Sequence, residues 1–411
     1  MMHSIYIFLI ICCFTHLNNA LDIPILYEGW IKVDAIADSR QVIGERNDQF
    51  LLAPEPVKCD RCFCQDINAR PQNTIVVFDT ILEFTIPGPE VWCAKSKTVF
   101  AGDFWGTRDE QNIDTFRLRY AFGQFDWKKT TLLIGQFWHP VYIPDCSPLT
   151  VSYSGGVPIE VFSRNPQIRL TTRHENVEFM FAATSQVDFL SDGPYGLSPD
   201  YMRNALMPNL HMQTRCNISS HFFGAFVDVK RLAPRLKNNC NCEVHEHITS
   251  GGIGMYGCYL TDVLRVMGKI MYMQNGTDYA LLGGYAVSTV TPNDHRTYTN
   301  LSNANVWLDM TYHHGNLVPG IFMGFSKNLG SENTVVRHLP NHERTVYALL
   351  PNTSSLIRIS PRFWWDIEPV RLAFELEYTR ANFGKLNDFA KVVNGTPVAS
   401  FRMYVSMMYF F

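Results

Sequence analysis

Two short groups of cysteine and histidine are the residues whose types and spacing come nearest to a chemical site. The first group is Cys59, Cys62 and Cys64, and the second is Cys240, Cys242, His245 and His247. Thiolates and imidazoles at such spacing can bind zinc. Spacing alone is a weak signal, and cysteines of exported proteins ordinarily oxidise to disulfides. We therefore expect no metal and no cofactor, and the second group stays a weak metal candidate.

Motifs for catalysis are not found in the sequence. There is no GxSxG element, and the Gly283-Gly284 pair lacks the strand-to-helix context of a phosphate-binding loop. A hydrolase would need a nucleophile, a base and an orienting acid that meet at one place. We therefore predict that the protein is not an enzyme. An outer-membrane enzyme of the phospholipase or protease kind stays open as an alternative.

Composition limits the possible partners. The chain has 411 residues, with 35 basic and 38 acidic side chains, and only 18% of its residues are charged. That length is enough for one large domain or two small ones. Because the sequence has no basic excess and no long basic run, it lacks the charge that neutralises phosphates in nucleic-acid binding. Nucleic acid is therefore excluded as an expected partner.

The first twenty residues resemble a secretory signal peptide, with an apolar run over residues 5–14. We expect cleavage after Ala20 and a single mature domain over residues 21–411. Beyond Phe14, no stretch approaches the roughly 18 consecutive apolar residues that a membrane-spanning helix needs. If the mature chain lies in a membrane, its backbone hydrogen bonds must close between strands.

Several segments alternate between apolar and polar side chains, which is the pattern of a strand with two unlike faces. Residues 116–122 show it most clearly, and residues 29–36 and 370–379 repeat it. In the first of these segments one face would carry Phe116, Leu118, Tyr120 and Phe122, and the other Arg117, Arg119 and Ala121. A soluble antiparallel sandwich gives the same alternation. A secreted, disulfide-rich β-sandwich that binds a partner is therefore the second alternative.

Two features favour a membrane barrel over a sandwich. The last segment puts Phe401, Met403, Val405, Met407, Tyr409 and Phe411 on one face, so the chain ends on an apolar strand. Connections also alternate in length. Short links are expected at residues 125–128, 173–176, 260–262, 313–316 and 366–369, and long ones at 38–73, 138–165, 189–207, 275–302, 328–355 and 381–397. We predict an all-β transmembrane antiparallel β-barrel of about 16 strands, with short periplasmic turns and long extracellular loops.

Blocks of sequence in order along the chain resemble a known family. They include GDFWG at residues 102–106, FRLRYAF at 116–122, LLIGQFWHP at 132–140, GGVPIEVFSRNPQIR at 155–169, GFSKNLGS at 324–331 and ELEYTRANFGK at 375–385. The chain resembles the trimeric DcaP-like outer-membrane porins, in particular the Bacteroidetes-type branch. The resemblance implies a homotrimer in the bacterial outer membrane, in contact with its lipid. Each barrel would hold a passive channel for small hydrophilic solutes.

The same resemblance suggests where the channel narrows. In general porins the loop after the fifth strand folds into the lumen, and here that loop covers residues 138–163. We expect a basic constriction made of Arg117, Arg119, Arg164 and Arg169. Guanidinium groups in a narrow passage favour small anions, such as dicarboxylates. Further lumen-facing residues would be Lys32, Asp34, Asp103, Arg173, Glu375 and Glu377. Alternatively, the arginines pair with the lumen acids and brace the wall.

Overall fold

The structure is a computed structural model, which describes residues 24–45, 48–106 and 115–411. The predicted signal peptide, residues 1–20, lies outside these ranges. The strands are β1 (Leu26–Asp38), β2 (Val42–Glu45), β3 (Phe50–Pro54), β4 (Gln72–Val76), β5 (Ile81–Pro87), β6 (Lys95–Gly106), β7 (Thr115–Asp126), β8 (Thr130–Trp138), β9 (Arg164–His174), β10 (Val177–Thr184), β11 (Asn209–Ile218), β12 (His221–Leu232), β13 (Ile248–Leu260), β14 (Leu264–Gln274), β15 (Gly283–Val290), β16 (Arg296–Tyr312), β17 (Leu317–Ser331), β18 (Val346–Leu349), β19 (Thr353–Ile367), β20 (Val370–Leu386) and β21 (Val392–Phe410). One helical turn, α1 (Asp200–Arg203), lies between β10 and β11, and 3-10 turns cover Ile67–Ala69, Pro144–Cys146, Thr277–Tyr279 and Pro340–His342.

One antiparallel sheet closes on itself to form the barrel. The first and last strands pair from Trp30 with Phe410 through Asp38 with Arg402. Strands β4 and β5 both pair with β1 and together make one interrupted barrel strand. Strands β15 and β18 pair with each other beyond the ends of β14 and β19, and β2 with β3 forms a separate hairpin. The barrel therefore has 16 strands, which confirms the predicted fold class, and a two-sheet sandwich is not formed.

Short and long connections occupy different ends of the barrel. Strand β1 begins and β21 finishes at the same end, called here the turn end, where consecutive strands such as β9 and β10 are joined by tight turns. The opposite end, called the loop end, carries the long connections. Two of the predicted long loops were wrong, because residues 275–302 and 381–397 are mostly strand. The Asn394-Gly395 pair that signals a turn is accommodated as a β-bulge opposite Gly384, while the pairing continues on both sides.

The outer wall is apolar, and many polar and charged side chains face the lumen. On β21, Met403, Val405 and Met407 are exposed, whereas the alternating residues Arg402, Tyr404 and Ser406 are buried. This alternation is what a barrel in a lipid bilayer requires. Within the described ranges, no helix is long and apolar enough to cross a membrane.

Strand β7 departs from the predicted two-face pattern at a bulge. Leu118 pairs with Gly102 and Tyr120 with Ala101, so Arg119 has no opposite residue on β6. The extra residue shifts the parity of the strand, and Tyr120 packs inside the barrel against Phe137 at 5.0 Å between ring centroids. Phe122 follows it inside. The prediction that both rings share the outer face was therefore wrong.

A side chain from the next strand compensates for this bulge. The amide Nε2 of Gln136 donates hydrogen bonds to the carbonyl oxygens of Leu118 and Arg119, at 3.0 and 3.3 Å. Carbonyls that a bulge removes from the regular ladder need such a partner in a membrane wall. The bulge is thus a supported feature of the fold, and it places Arg119 and Tyr120 on the lumen side together.

Candidate functional site

Residues 139–163, called here the inner loop, fold into the lumen. Val141, Ile143, Ile159 and Val161 of this loop are at most 5% exposed. They pack on apolar side chains that face inward from β12 to β17, which are Phe222, Phe226, Tyr256, Met267, Met271, Trp307 and Phe322. Apolar side chains inside a wet channel are unfavourable unless something covers them. The inner loop therefore buries what would otherwise be a hydrophobic stripe along one side of the lumen.

A buried ion pair joins the inner loop to this apolar side. The carboxylate of Glu160 contacts the ammonium of Lys269 on β14 and accepts a hydrogen bond from the indole of Trp307. Lys269 also donates to the carbonyl of Val141, at 3.0 Å. Burial raises the pKa of Glu160, while the neighbouring ammonium opposes that change. Glu160 and Lys269 are each other's ionic partners, so loss of either group leaves the other charge without a counter-charge.

A second insertion enters the lumen from the first long loop. The hairpin of β2 and β3 accepts hydrogen bonds at the carbonyl of Leu51 from Arg358, at 3.1 Å, and at the carbonyl of Gln49 from Arg402, at 3.3 Å. The ring of Phe50 is 1% exposed and stacks edge-on against Phe162 of the inner loop. The hairpin and the inner loop thus hold each other in place.

Three of the predicted constriction arginines come together in one ion-pair network. Asp103 accepts hydrogen bonds from Arg117, at 2.7 Å, and from Arg119, at 3.1 Å. Asp188, from the loop before α1, contacts Arg117 at 3.1 Å and Arg164 at 3.3 Å. Each of these two carboxylates is therefore shared by two guanidinium groups.

The other predicted lumen residues on β1 and β20 also face inward, and each makes an ion pair or hydrogen bonds. Lys32 lies 3.4 Å from Asp34 and 3.0 Å from Asp79. Glu377 pairs with Arg358 at 3.2 Å. Glu375 is fully buried and accepts hydrogen bonds from the inner-loop backbone at residues 151 and 152. Many of the predicted lumen residues thus stabilise the barrel wall or hold the inner loop in place. This agrees with the alternative that the arginines pair with lumen acids.

Several charged residues of the lumen were not predicted from the sequence. They are Asp38, Asp79, Asp188, Asp309, Arg358, Arg362 and Arg402. Arg402 pairs with Asp38 at 2.6 Å and Arg362 with Asp309 at 2.8 Å. The inward position of Arg402 could have been predicted, because alternating residues of β21 form its apolar face and Arg402 lies on the opposite face. Asp188 had no such signal, since it comes from an irregular loop.

Two cavities flank the inner loop. The first has a volume of about 300 Å³ and is lined by Lys32, Arg119, Arg164 and aromatic rings that include Trp138. The guanidinium of Arg164 lies 3.8 Å from the ring centroid of Trp138. Nε of Arg119, and Nε and Nη2 of Arg164, are buried without a hydrogen-bond partner. These N–H groups are donors without an acceptor among the described residues.

Arg169, the fourth predicted constriction residue, lies apart from the other three. It lines the second cavity, of about 380 Å³, on the side of β7 to β11. Arg173 lines the same cavity nearer the turn end, where its side chain is 47% exposed and lies 3.7 Å from Glu178. The predicted ring of four arginines is therefore divided by the inner loop into a group of three and a single residue.

The cysteine and histidine groups do not assemble a site. Among the residues that the structure describes, no three or more His, Cys, Asp or Glu side chains are arranged to hold a metal ion. Cys240, Cys242 and His245 are exposed on a loop. The nine cysteines within the described ranges are all free thiols, so the expected disulfides are not formed there.

The fold and the lumen together define a transmembrane β-barrel of the porin type. The structure is similar to an anion-selective porin from Comamonas acidovorans, with a TM-score of 0.56 at 7% identity over 95% of this chain and 100% of that one. It is also similar to OmpF of Salmonella typhi in complex with daunomycin, with a TM-score of 0.54 at 10% identity over 95% and 98% of the chains. OmpT, an outer membrane protein of Vibrio cholerae, gives 0.54 at 8% identity over 95% and 100%.

These likenesses show a shared fold. Sequence comparison adds no assignment, since neither a family model nor a curated protein matches the chain.

Proposed function

We propose that the protein is an outer-membrane porin, a passive diffusion channel for small hydrophilic solutes. The observation that carries this proposal is the inner loop, which enters a closed, lipid-facing barrel and leaves polar cavities on both sides of itself. A barrel wall that faces lipid outside and charged groups inside serves passage through a membrane. The rival sandwich has no such lumen, and a barrel enzyme would need a nucleophile, a base and an orienting acid that meet at one place.

Anion preference is the finer part of the proposal. Around the first cavity, Lys32, Arg117, Arg119 and Arg164 face the carboxylates of Asp34, Asp79, Asp103 and Asp188, so the paired network contributes little net charge. The preference would therefore depend on the N–H groups left over on Arg119 and Arg164 and on the separate guanidinium of Arg169. Guanidinium groups with free donors favour carboxylates and phosphates.

Assembly and location belong to the same proposal. The resemblance to DcaP-like porins supports a homotrimer, and a similar OmpT structure is described as a trimer form. Removal of residues 1–20 during export would leave the barrel domain, residues 21–411, in contact with outer-membrane lipid.

Planar-bilayer recording of the detergent-purified protein under a salt gradient tests this proposal. Current steps that occur in groups of three, with a reversal potential that indicates anion selectivity, would support the channel, the trimer and the anion preference. A protein that stays soluble without detergent and never inserts would contradict all three. Stable single current steps without ion selectivity would support a channel but would contradict the trimer and the anion preference.

A further inference from the structure

Arg169 differs from the other arginines of the predicted constriction because it has no ionic partner. Its side chain donates from Nε to the amide oxygen of Gln167 at 2.9 Å and from Nη2 to the carbonyl of Trp138 at 2.7 Å. Both acceptors are neutral. Within the described ranges, no carboxylate lies at ion-pair distance from this guanidinium, although the residue is only 8% exposed.

A buried charge without a counter-charge is costly, because desolvation is not repaid by an opposite charge. Guanidinium carries five N–H donors in a planar fork. The two bonds of Arg169 leave its Nη1 group and part of Nη2 unused. These atoms lie on the edge that binds a carboxylate with two parallel hydrogen bonds.

Acidic groups in the second cavity are already engaged elsewhere. Asp145 of the inner loop accepts from Arg215 at 2.6 Å, and Glu178 lies beside Arg173. Each acid in the cavity thus has a basic partner of its own, and the charge left over is that of Arg169. This excess of one positive charge predicts a ligand with one negative charge.

Apolar side chains make up much of the remaining lining. They are Phe122, Leu133, Phe137, Pro140, Tyr142, Ile143, Pro144 and Met180. The guanidinium of Arg169 lies 5.4 Å from the ring centroid of Phe137, so a cation and an aromatic ring are neighbours in this lining. A volume of about 380 Å³ is ample for a molecule of a few carbon atoms.

We infer that Arg169 anchors a binding site for small monocarboxylates with an apolar body, in the second cavity and separate from the ion-pair network of the first. One carboxylate would neutralise the guanidinium and the apolar body would cover the rings. A second carboxylate would face this apolar lining with no free cation, so dicarboxylates bind less well here. The inference rests on the proposed function in one respect, which is that the solute must be able to enter the lumen.

Isothermal titration calorimetry of the detergent-purified protein in a chloride-free buffer tests this site without requiring conduction. The probes are butyrate, succinate and butyramide, which share a four-carbon body and differ in charge. Arg169→Gln removes the cation and keeps hydrogen-bonding capacity, and Arg169→Lys keeps the charge without the fork. Arg203→Gln, in α1 at the loop end, removes one positive charge outside the lumen and serves as the control.

We expect saturable binding of butyrate by the wild type and the Arg203→Gln variant, weaker binding of succinate and none of butyramide. Arg169→Gln should raise the Kd for butyrate at least tenfold, and Arg169→Lys should lie between the two. An unchanged Kd in Arg169→Gln, or equal binding of butyramide, would overturn the inference. Failure of the wild type to conduct in bilayers, with this binding intact, would contradict the proposed channel and leave the site standing.

Discussion

The lumen wall has an apolar side, built from strands β12 to β17, and a charged side, which runs from β19 through the closing pair β21 and β1 to β7. The apolar side is covered by the inner loop and carries one buried ion pair with it, Glu160 with Lys269. On the charged side, Asp103 and Asp188 each contact two arginines, and Lys32 contacts two aspartates.

The two sides differ in how many ionic partners a buried charge has. Around the first cavity, loss of Arg119 leaves Asp103 paired with Arg117, and loss of Arg164 leaves Asp188 paired with Arg117. On the apolar side, loss of one group leaves a single charge buried among hydrocarbon, which is strongly destabilising. We therefore expect the apolar side to fix the position of the inner loop, and the charged side to tune which ions pass.

Breaking the buried pair should have the largest effect. Glu160→Gln keeps the side-chain shape and an acceptor for Trp307, but it leaves the ammonium of Lys269 without a counter-charge. We expect a loss of about 3–5 kcal/mol in the free energy of unfolding. Urea unfolding in lipid vesicles, followed by tryptophan fluorescence, measures it.

The double variant Glu160→Gln/Lys269→Met provides the control for this prediction. Because it removes both charges, we expect it to be more stable than the single variant, as a double-mutant cycle would reveal. Equal stability of the two variants would show that the pair does not act as described.

Creating a cavity under the inner loop should have the next largest effect. The side chain of Phe322 is fully buried and lies directly beneath Gly156 and Ile159. Phe322→Ala should cost about 3 kcal/mol and should increase conductance noise, because the loop loses part of its support. Phe325→Ala, on the outer face of the same strand, is the matched control. Similar noise in both variants would argue against a role for the apolar side.

Removing one arginine from the shared network should have the smallest effect on stability. In Arg119→Gln, Asp103 keeps its contact with Arg117, so no carboxylate is left without a positive partner there. We therefore expect a smaller loss of unfolding free energy than in Glu160→Gln. The reversal potential should nevertheless move away from the anion side, since a donor group at the first cavity is lost. A destabilisation as large as that of Glu160→Gln would remove the distinction between the two sides.

The regular parts of the barrel were predictable because alternation along a strand is a local property. The apolar face of β21 and the inward position of Lys32 and Asp34 on β1 follow directly from period-two patterns. The alternating pattern gave the wrong face for Tyr120 and Phe122, because the bulge at Arg119 depends on pairing with β6 and on hydrogen bonds from Gln136.

Contacts between distant segments were beyond local pattern. Asp38 and Arg402 are 364 positions apart and meet only because the first and last strands close the barrel. The hairpin of β2 and β3 occupies what looks in the sequence like an irregular loop. Its place in the lumen is set by Arg358 and Arg402, whose partners cannot be deduced from spacing.

Single-channel conductance and reversal potential, recorded side by side for the wild type, Glu160→Gln and Arg119→Gln, test the division of the lumen most directly. We predict that Glu160→Gln changes the conductance and its noise, while Arg119→Gln shifts the reversal potential with little change in conductance. A shift of the reversal potential in Glu160→Gln alone, or unchanged currents in both variants, would contradict the account.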